Sequence, residues 1–233
     1  MAPTPQRLAD GLWRWTARHP QWHPGEFGRE VASFAVQADD ALLLVDPLLP
    51  DADGDGGEDA VLDVLDAAAA DAGGAVAILV TIPYHARSAE TLWERYRADG
   101  ATIHGHPNVA KRLRDRSALR PLEAGDALPG GAVAYAIGRP RRMELPLHLP
   151  SHDALAFGDA VVEEGGRLRV WAQRPVDERV QRFHRERFNP TLRPLLELGA
   201  RRVLVTHGEP VLTGGTAALA AAIDDEPWYH RPG

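Results

Sequence analysis

The alternation of apolar and polar positions near the start of the chain predicts a β-hairpin. Residues 31–36 and 41–45 are apolar, β-favouring segments, and paired acids mark a turn at 37–40 between them. Residues 47–57, dense in Pro, Asp and Gly, predict a loop. The helical spacing of Ala, Leu and Val over 58–72, with acids in its first turn, predicts a helix.

The middle of the chain predicts two units in which a strand precedes a helix. The continuous apolar run 75–80 is typical of a strand buried on both faces, and the loop 82–87 follows it. Ser88 is a candidate cap for a helix that ends at residue 99, before Gly100. A short strand at 102–105 then leads to a helix predicted over 107–115.

The second half of the chain predicts a β-meander and a final strand and helix. Its elements are strands at 130–137, 144–149, 154–157 and 168–171, a helix at 190–198, a strand at 202–205, the loop 206–215 and an Ala-rich helix reaching about Asp224. Hairpins first, then βα units, then hairpins and a last βα unit imply two sheets with helices outside them.

Composition narrows the class of protein. At 233 residues the whole chain, 1–233, is expected to form one domain, and a net charge of −7 without a dense basic block argues against nucleic acid as a partner. The sequence has no cysteine, so any metal ligands are His, Asp or Glu. No apolar run is long enough for a membrane span, and we expect a cytoplasmic protein with no membrane partner.

Four short segments then fall in a distinctive order. They are Leu44-Val45-Asp46-Pro47, Leu79-Val80-Thr81, Phe157-Gly158-Asp159-Ala160 and Val205-Thr206-His207-Gly208. In this order and spacing, from about residue 11 to 222, the chain resembles the metallo-β-lactamase-fold hydrolase superfamily. The resemblance implies an α/β (α+β) fold, an αββα sandwich, with its site along one sheet edge.

The resemblance also implies a metal pair, but most of the residues that would bind it are replaced. An H-x-H-x-D-H loop is expected after Thr81, and its four ligand positions hold Ile82, Tyr84, Ala86 and Arg87. His85 is one position out of register. Where relatives have a ligand histidine in a Gly-His-Thr turn, this chain has Gly138-Arg139-Pro140.

Three residues match the expected site. Asp159 stands at the bridging-carboxylate position, His207 at the final-histidine position, and Asp46 at that of a supporting acid. Two protein ligands are too few for a usual zinc site. Because Arg87 and Arg139 are permanent cations, we predict that a guanidinium group replaces the metal charge and that Asp159 pairs with Arg87 or Arg139.

Three functional hypotheses follow from this altered site. One is a non-catalytic protein that binds a small anionic molecule or another protein, and another is a metal-independent hydrolase; neither needs a cofactor. In the hydrolase, His85, His207 and Asp159 are the candidate catalytic groups. Arg87, Arg139 and Tyr84 are the candidate residues for binding a small-molecule ligand, with Asp46 as support. The third is a mononuclear hydrolase with one zinc ion on His85, Asp159 and His207.

The N-terminal segment 1–30 is expected to hold a loop and the first strand, and the loop is a candidate lid over the site. The alternative is that its tryptophans, Trp13, Trp15 and Trp22, anchor the segment by apolar burial. The sequence does not name the ligand or predict the oligomeric state.

Overall fold

The computed structural model describes residues 5–23, 27–51 and 57–230, which form two facing β-sheets, a hairpin and four α-helices. The strands are β1 (Gln6–Ala9), β2 (Leu12–Arg18), β3 (Glu30–Gln37), β4 (Leu42–Val45), β5 (Val76–Val80), β6 (Thr102–Gly105), β7 (Leu119–Pro121), β8 (Val133–Ala134), β9 (Leu147–Leu149), β10 (Ala154–Phe157), β11 (Val161–Glu164), β12 (Arg167–Val170) and β13 (Arg202–Val205). The helices are α1 (Gly57–Asp71), α2 (Ala89–Tyr96), α3 (Glu178–Phe183) and α4 (Gly215–Asp224).

The first sheet has seven strands in chain order, from β1 to β7. Its first four strands pair antiparallel, and β4 to β7 pair parallel. Strand β4 is apolar at every position because both of its faces are covered. Leu42 and Leu44 pack towards α1 and α2, whereas Leu43 and Val45 face the second sheet.

The second sheet has the strand order β13, β10, β9, β8, with β10 and β13 parallel. Ala154 and Ala156 of β10 face the first sheet, and Leu155 and Phe157 pack on the opposite side with α4. The layers are therefore helix, sheet, sheet, helix, and the predicted αββα sandwich is confirmed. Strands β11 and β12 form a separate hairpin.

The carboxyl ends of four strands meet at one edge of this sandwich. β4 and β5 are parallel within the first sheet, and β10 and β13 are parallel within the second. The two sheets are joined there by a hydrogen bond of 2.7 Å from the amide of Ala32 to the carbonyl of Thr206. The residues that follow these four strands are those of the four sequence motifs.

The helix predicted over 107–115 is wrong. The chain forms 3-10 turns at Pro107–Lys111 and Arg116–Ala118 instead. The carboxylate of Glu90 accepts hydrogen bonds from the amides of Arg114 and Asp115 at 3.1 and 2.6 Å. These contacts draw the two amides away from the carbonyls that a continuing α-helix would need.

Two further predicted elements are shorter or of another type. The predicted helix 190–198 consists of the 3-10 turns Asn189–Thr191 and Arg193–Leu198, where Pro190 and Pro194 remove two amide donors. The predicted strand 130–137 is reduced to β8, because Gly130 turns the chain with a φ of 69°. The predicted strand 144–149 is reduced to β9, because the amides of Glu144 and Leu145 donate hydrogen bonds of 2.8 Å to the carbonyls of Arg141 and Thr81 instead of to a neighbouring strand.

Residues 1–30 were predicted to hold one strand, and their described part holds two, β1 and β2; strands β7 and β11 and helix α3 were not predicted. The tryptophans of β2 belong to a strand, in which Trp15 is 2% exposed and donates a hydrogen bond of 2.8 Å to the carbonyl of Leu48. Part of the candidate lid, residues 1–4 and 24–26, lies outside the described residues. Within the described ranges, no helix combines the length and the apolar character that a membrane span requires.

Candidate functional site

A cavity of about 410 Å³ opens at the edge where the four strand ends meet. Three arginines, three histidines besides His85, and several aromatic side chains contribute to its wall. The lining residues are His19, Gln21, Phe27, Gly28, Tyr84, His85, Arg87, Arg112, Arg141, Asp159, Trp171, Gln173, His207 and His230. Asp159 is the one carboxylate among these lining residues.

Asp46 anchors the base of the site. It follows β4 with a φ of 47°, a left-handed conformation that Asp tolerates better than most residues. Its buried carboxylate accepts hydrogen bonds from the amide and hydroxyl of Thr81, at 2.8 and 2.5 Å, and from Nδ1 of His85 at 2.8 Å. The supporting acid predicted at this position thus ties the ends of β4 and β5 to His85.

His85 reaches the site because the loop after β5 is wound into a 3-10 turn, Pro83–Ala86. With about three residues per turn, neighbouring side chains point in different directions. Tyr84 is therefore 58% exposed at the mouth of the cavity, while His85 is 4% exposed at its base. Nε2 of His85 lies 3.3 Å from Oδ1 of Asp159.

The imidazole of His85 thus lies between two carboxylates, those of Asp46 and Asp159. Burial and the charge of Arg87 lower the pKa of His85, but the two carboxylates outweigh them, and the pKa is raised above the ordinary histidine value. Both ring nitrogens face carboxylate oxygens, which is the arrangement that favours an imidazolium with two donated protons.

The guanidinium that pairs with Asp159 belongs to Arg141. Its Nη1 lies 3.2 Å from Oδ2 of Asp159, and the Arg141 side chain is 4% exposed. Its Cζ also lies 5.1 Å from the ring centroid of Trp171, within range of a cation–π contact. Burial raises the pKa of Asp159, but His85, Arg141 and His207 lower it far more, so its pKa is well below the ordinary value.

The prediction that Asp159 pairs with Arg87 or Arg139 is wrong, because Arg141 forms this pair. Arg139 is exposed and lies outside the cavity lining, and Arg141, two residues further along, occupies the position expected of it. The sequence holds three arginines between 139 and 142, and only the path of the backbone decides which one turns inward. Arg87 lines the cavity as predicted, although its hydrogen bond, of 3.2 Å, goes to the carbonyl of Asp46.

His207 lies on the other side of Asp159, with Nε2 3.7 Å from Oδ1. Burial lowers the pKa of His207 to about 3, and the positive charges of His85 and Arg87 act in the same direction, against the carboxylate of Asp159. His207 is therefore neutral near pH 7. A Cβ on Gly28, which has a φ of 65°, would come 3.1 Å from Nδ1 of His207, so the backbone at Gly28 packs closely on this ring.

Glu144 is a fully buried carboxyl that the sequence reasoning missed. Its oxygens accept hydrogen bonds from the amides of Gly158 and Ala160 at 2.9 to 3.0 Å, which fixes the turn that carries Asp159. The pKa of Glu144 is raised to about 7. Burial is the main cause, the charge of Arg141 opposes it, and the charge of Asp159 adds to it. A Cβ on Gly158 would lie 2.6 Å from Oγ1 of Thr81, which explains the glycine of this motif.

Two parts of the cavity can now be distinguished. The floor consists of Asp46, His85, Arg141 and Asp159, whose side chains are buried or nearly so and contact one another. The rim consists of Tyr84, Arg112 and Gln173, which are all exposed. The guanidinium of Arg112 lies 4.6 Å from the ring centroid of Tyr84.

Four nitrogen donors in the site lack a hydrogen-bond partner among the described residues. They are Nε and Nη2 of Arg87, Nε of Arg141 and Nε1 of Trp171. Within residues 5–23, 27–51 and 57–230, no group of three or more His, Cys, Asp or Glu side chains is placed to hold a metal ion. The cavity therefore presents more unsatisfied donors than acceptors.

Comparison with solved structures identifies proteins of similar shape. A metallo-β-lactamase from Pontibacter korlensis aligns with a TM-score of 0.60 and 13% identity, over 96% of this chain and 100% of its own. The metallo-β-lactamase FIM-1 from Pseudomonas aeruginosa, in a mono-zinc form, aligns with a TM-score of 0.59 and 12% identity, over 96% of each chain. A metallo-β-lactamase family protein from Thermus thermophilus aligns with a TM-score of 0.54 and 18% identity, over 94% of this chain and 78% of its own.

These likenesses extend over nearly the whole of both chains in the first two cases, although the sequences share few residues. No family model and no curated protein matches the sequence. The similarity is therefore one of shape, and it agrees with the layers and the strand-end motifs described above. The chain has the metallo-β-lactamase fold that its sequence predicts.

Proposed function

We propose that this protein binds a small anionic molecule in the cavity, and that the guanidinium groups of Arg87 and Arg141 supply the positive charge. The observation that carries the proposal is the set of unsatisfied donors on these two arginines. A buried polar group without a partner costs about 1–3 kcal/mol, more when it is charged. An oxyanion in the cavity would remove that cost.

The orientation of Arg87 supports an oxyanion. Its Nη1 donates a hydrogen bond to the carbonyl of Asp46, and its Nε and Nη2, both buried, are left without a partner in a residue that lines the cavity. These two N–H groups are the parallel pair that binds both oxygens of a carboxylate or phosphate. Arg87 also has a φ of 34° and a ψ of −112°, a strained backbone of the kind that clusters at functional sites.

The residues present suit an anion better than a divalent cation. Metal binding needs neutral imidazoles and free carboxylates, whereas His85 has a raised pKa and Asp159 is already paired with Arg141. Arg87 and Arg141 also line the cavity in which a metal ion would have to bind. The alternative of one zinc ion on His85, Asp159 and His207 is kept as an outcome of the experiment below.

Binding is favoured over metal-independent hydrolysis by the state of His207. A general base works best when its pKa lies near the working pH, and the pKa of His207 is lowered to about 3. His85 is poorly placed to replace it as a base, because its two ring nitrogens already face the carboxylates of Asp46 and Asp159. The site is thus better equipped to hold an anion than to activate water.

The proposal is tested by isothermal titration of the protein, purified without chelator, with benzoate and with inorganic phosphate. We expect saturable binding of at least one of these two anions. Arg87→Gln should weaken that binding about 10- to 100-fold, because it removes charged hydrogen bonds. Arg139→Gln is the matched control, since it removes a nearby exposed arginine, and should bind as the wild type does.

Metal analysis and turnover assays on the same preparation separate the three hypotheses. The proposal expects no stoichiometric metal and no hydrolysis of generic ester, thioester or lactam substrates. Equal binding by wild type and Arg87→Gln would overturn it. A bound transition metal with turnover would instead support the mononuclear hydrolase, and turnover without metal would support the metal-independent hydrolase.

A further inference from the structure

A second cavity, of about 370 Å³, adjoins the first. It is lined by Pro140, Gln173, Arg174, Val180, Phe183 and His184, and Gln173 also lines the first cavity. Gln173 is exposed, so its flexible side chain stands at the boundary between the two spaces. We call the second space the tail cavity.

The tail cavity has an apolar surface open to solvent. Among the described residues, two large hydrophobic side chains are notably exposed, Tyr84 at 58% and Phe183 at 36%. A single exposed apolar residue is common and needs no explanation. Here, however, one of the two lines the first cavity and the other lines the tail cavity that adjoins it.

Local structure presents Phe183 at this place. It is the last residue of α3, and the chain then widens into a π-helix over His184–Phe188. Short π-helical segments occur frequently at functional sites. Val180, one turn earlier on α3, is buried beneath the same cavity, and Pro140 contributes a further apolar surface.

We propose that the ligand is an amphiphilic anion, with an oxyanion head at Arg87 and Arg141 and an apolar chain that passes Gln173 into the tail cavity. This inference rests on the proposed anion-binding function and names the class of ligand. The charged donors lie at one end of the joined space, and Phe183 with Val180 and Pro140 lies at the other. A ligand that is charged at one end and apolar at the other complements both.

The test is a titration series with linear carboxylates, from butanoate to octanoate to decanoate, on wild type and variants. Burial of each added methylene should tighten binding by roughly three- to fourfold until the tail cavity is filled. Phe183→Ser should reduce the ratio of decanoate to butanoate affinity by about tenfold, and Phe183→Leu should restore most of it. Because Phe183 is partly exposed, both variants are expected to fold, which circular dichroism checks.

The outcomes separate this inference from the proposed function. If butanoate and decanoate bind equally, or if Phe183→Ser leaves their affinity ratio unchanged, while Arg87→Gln still weakens both, the amphiphilic ligand is refuted and anion binding stands. If no linear carboxylate binds while benzoate or phosphate still does, the amphiphilic ligand is again refuted. If Arg87→Gln weakens the binding of no anion, or no anion binds, the proposed function itself fails.

Discussion

The floor and the rim of the cavity differ in how their polar groups are satisfied. On the floor, the carboxylate of Asp46 accepts four hydrogen bonds and His85 lies between two carboxylates, so each charge is matched by a neighbour. At the rim, Tyr84 and Gln173 are exposed, and the cation–π contact of Tyr84 with Arg112 is at the surface. The floor therefore holds the fold together at the strand ends, whereas the rim is free to contact a ligand.

If this distinction is right, floor substitutions reduce stability and rim substitutions change binding alone. The residues between the two, Arg87 and His207, line the cavity and each keep a side-chain nitrogen without a partner, so they should matter for the ligand more than for the fold. The substitutions below address this contrast in order of expected effect.

Asp46→Asn should have the largest effect. The amide nitrogen of Asn would face donors that now bind the carboxylate, and removing one partner from a buried ionic network costs about 3–5 kcal/mol. Urea denaturation should show a loss of unfolding free energy of this size. Asp153→Asn is the matched control: Asp153 has a similar φ, of 46°, but is exposed, so its loss should stay within about 0.5 kcal/mol. Similar losses in both variants would refute the role of Asp46.

Arg141→Gln should reduce stability by about 3 kcal/mol and should also remove anion binding. The substitution leaves Asp159 with His85 as its remaining close charged partner and removes the cation from the face of Trp171. Thermal unfolding and titration with benzoate would measure the two effects. Arg139→Gln should change neither, and a larger effect of Arg139→Gln than of Arg141→Gln would contradict the assignment of the inward-facing arginine.

Glu144→Gln should change how stability depends on pH. The pKa of Glu144 is raised from 4.5 to about 7 in the folded protein, so the folded state holds this proton more tightly than the unfolded state. The stability it contributes is complete below pH 4.5 and is lost as the pH rises to about 7. Between pH 4.5 and 8 the wild type should thus lose up to about 3 kcal/mol relative to Glu144→Gln.

Denaturation of wild type and Glu144→Gln at pH 5 and pH 8 would measure that difference. Exposed Glu186 provides the control, because Glu186→Gln should track the wild type at both pH values. A constant difference between wild type and Glu144→Gln across the range would show that the pKa of Glu144 is not raised.

Tyr84→Ala should have the smallest effect on the fold. Its ring is 58% exposed, so the change in unfolding free energy should stay within about 0.5 kcal/mol. Loss of the ring should still weaken benzoate binding a few-fold, because Tyr84 lines the cavity. A large loss of stability in Tyr84→Ala would contradict the view that rim residues contribute little to the fold.

The fold was predicted correctly where strands are buried on both faces, because such strands are continuous apolar runs in the sequence. Strands β4, β5, β10 and β13 are short apolar runs, and the motif residues at their carboxyl ends meet at one sheet edge because parallel strands in each sheet end together. The prediction was wrong where backbone amides have partners outside the regular element. The side chain of Glu90 accepts hydrogen bonds from two amides in the helix predicted over 107–115, and the amides of Glu144 and Leu145 bond to the carbonyls of Arg141 and Thr81. None of these contacts is visible in the periodicity of the chain.

Within the site, Asp159, His207 and the loop residues Tyr84, His85 and Arg87 line the cavity as predicted, whereas Arg139 does not and Arg141 takes its place. Asp46, Asp159 and His207 each lie within two residues of a strand end, so the sheets set their positions. His85 depends on the 3-10 winding of its loop, and Arg141 depends on the path of a segment with no regular structure. Neither the loop winding nor that path leaves a periodic signal in the sequence.

The most direct test of anion binding by arginine is anomalous X-ray diffraction from crystals equilibrated with both sodium bromide and zinc chloride. Bromide reports a site for anions, and zinc reports a site for divalent cations, in the same crystal. The account predicts a bromide peak within hydrogen-bonding distance of Arg87 Nε and Nη2 and no zinc peak in the cavity. A fully occupied zinc ion coordinated by Asp159 and His207, with no bromide at Arg87, would contradict it.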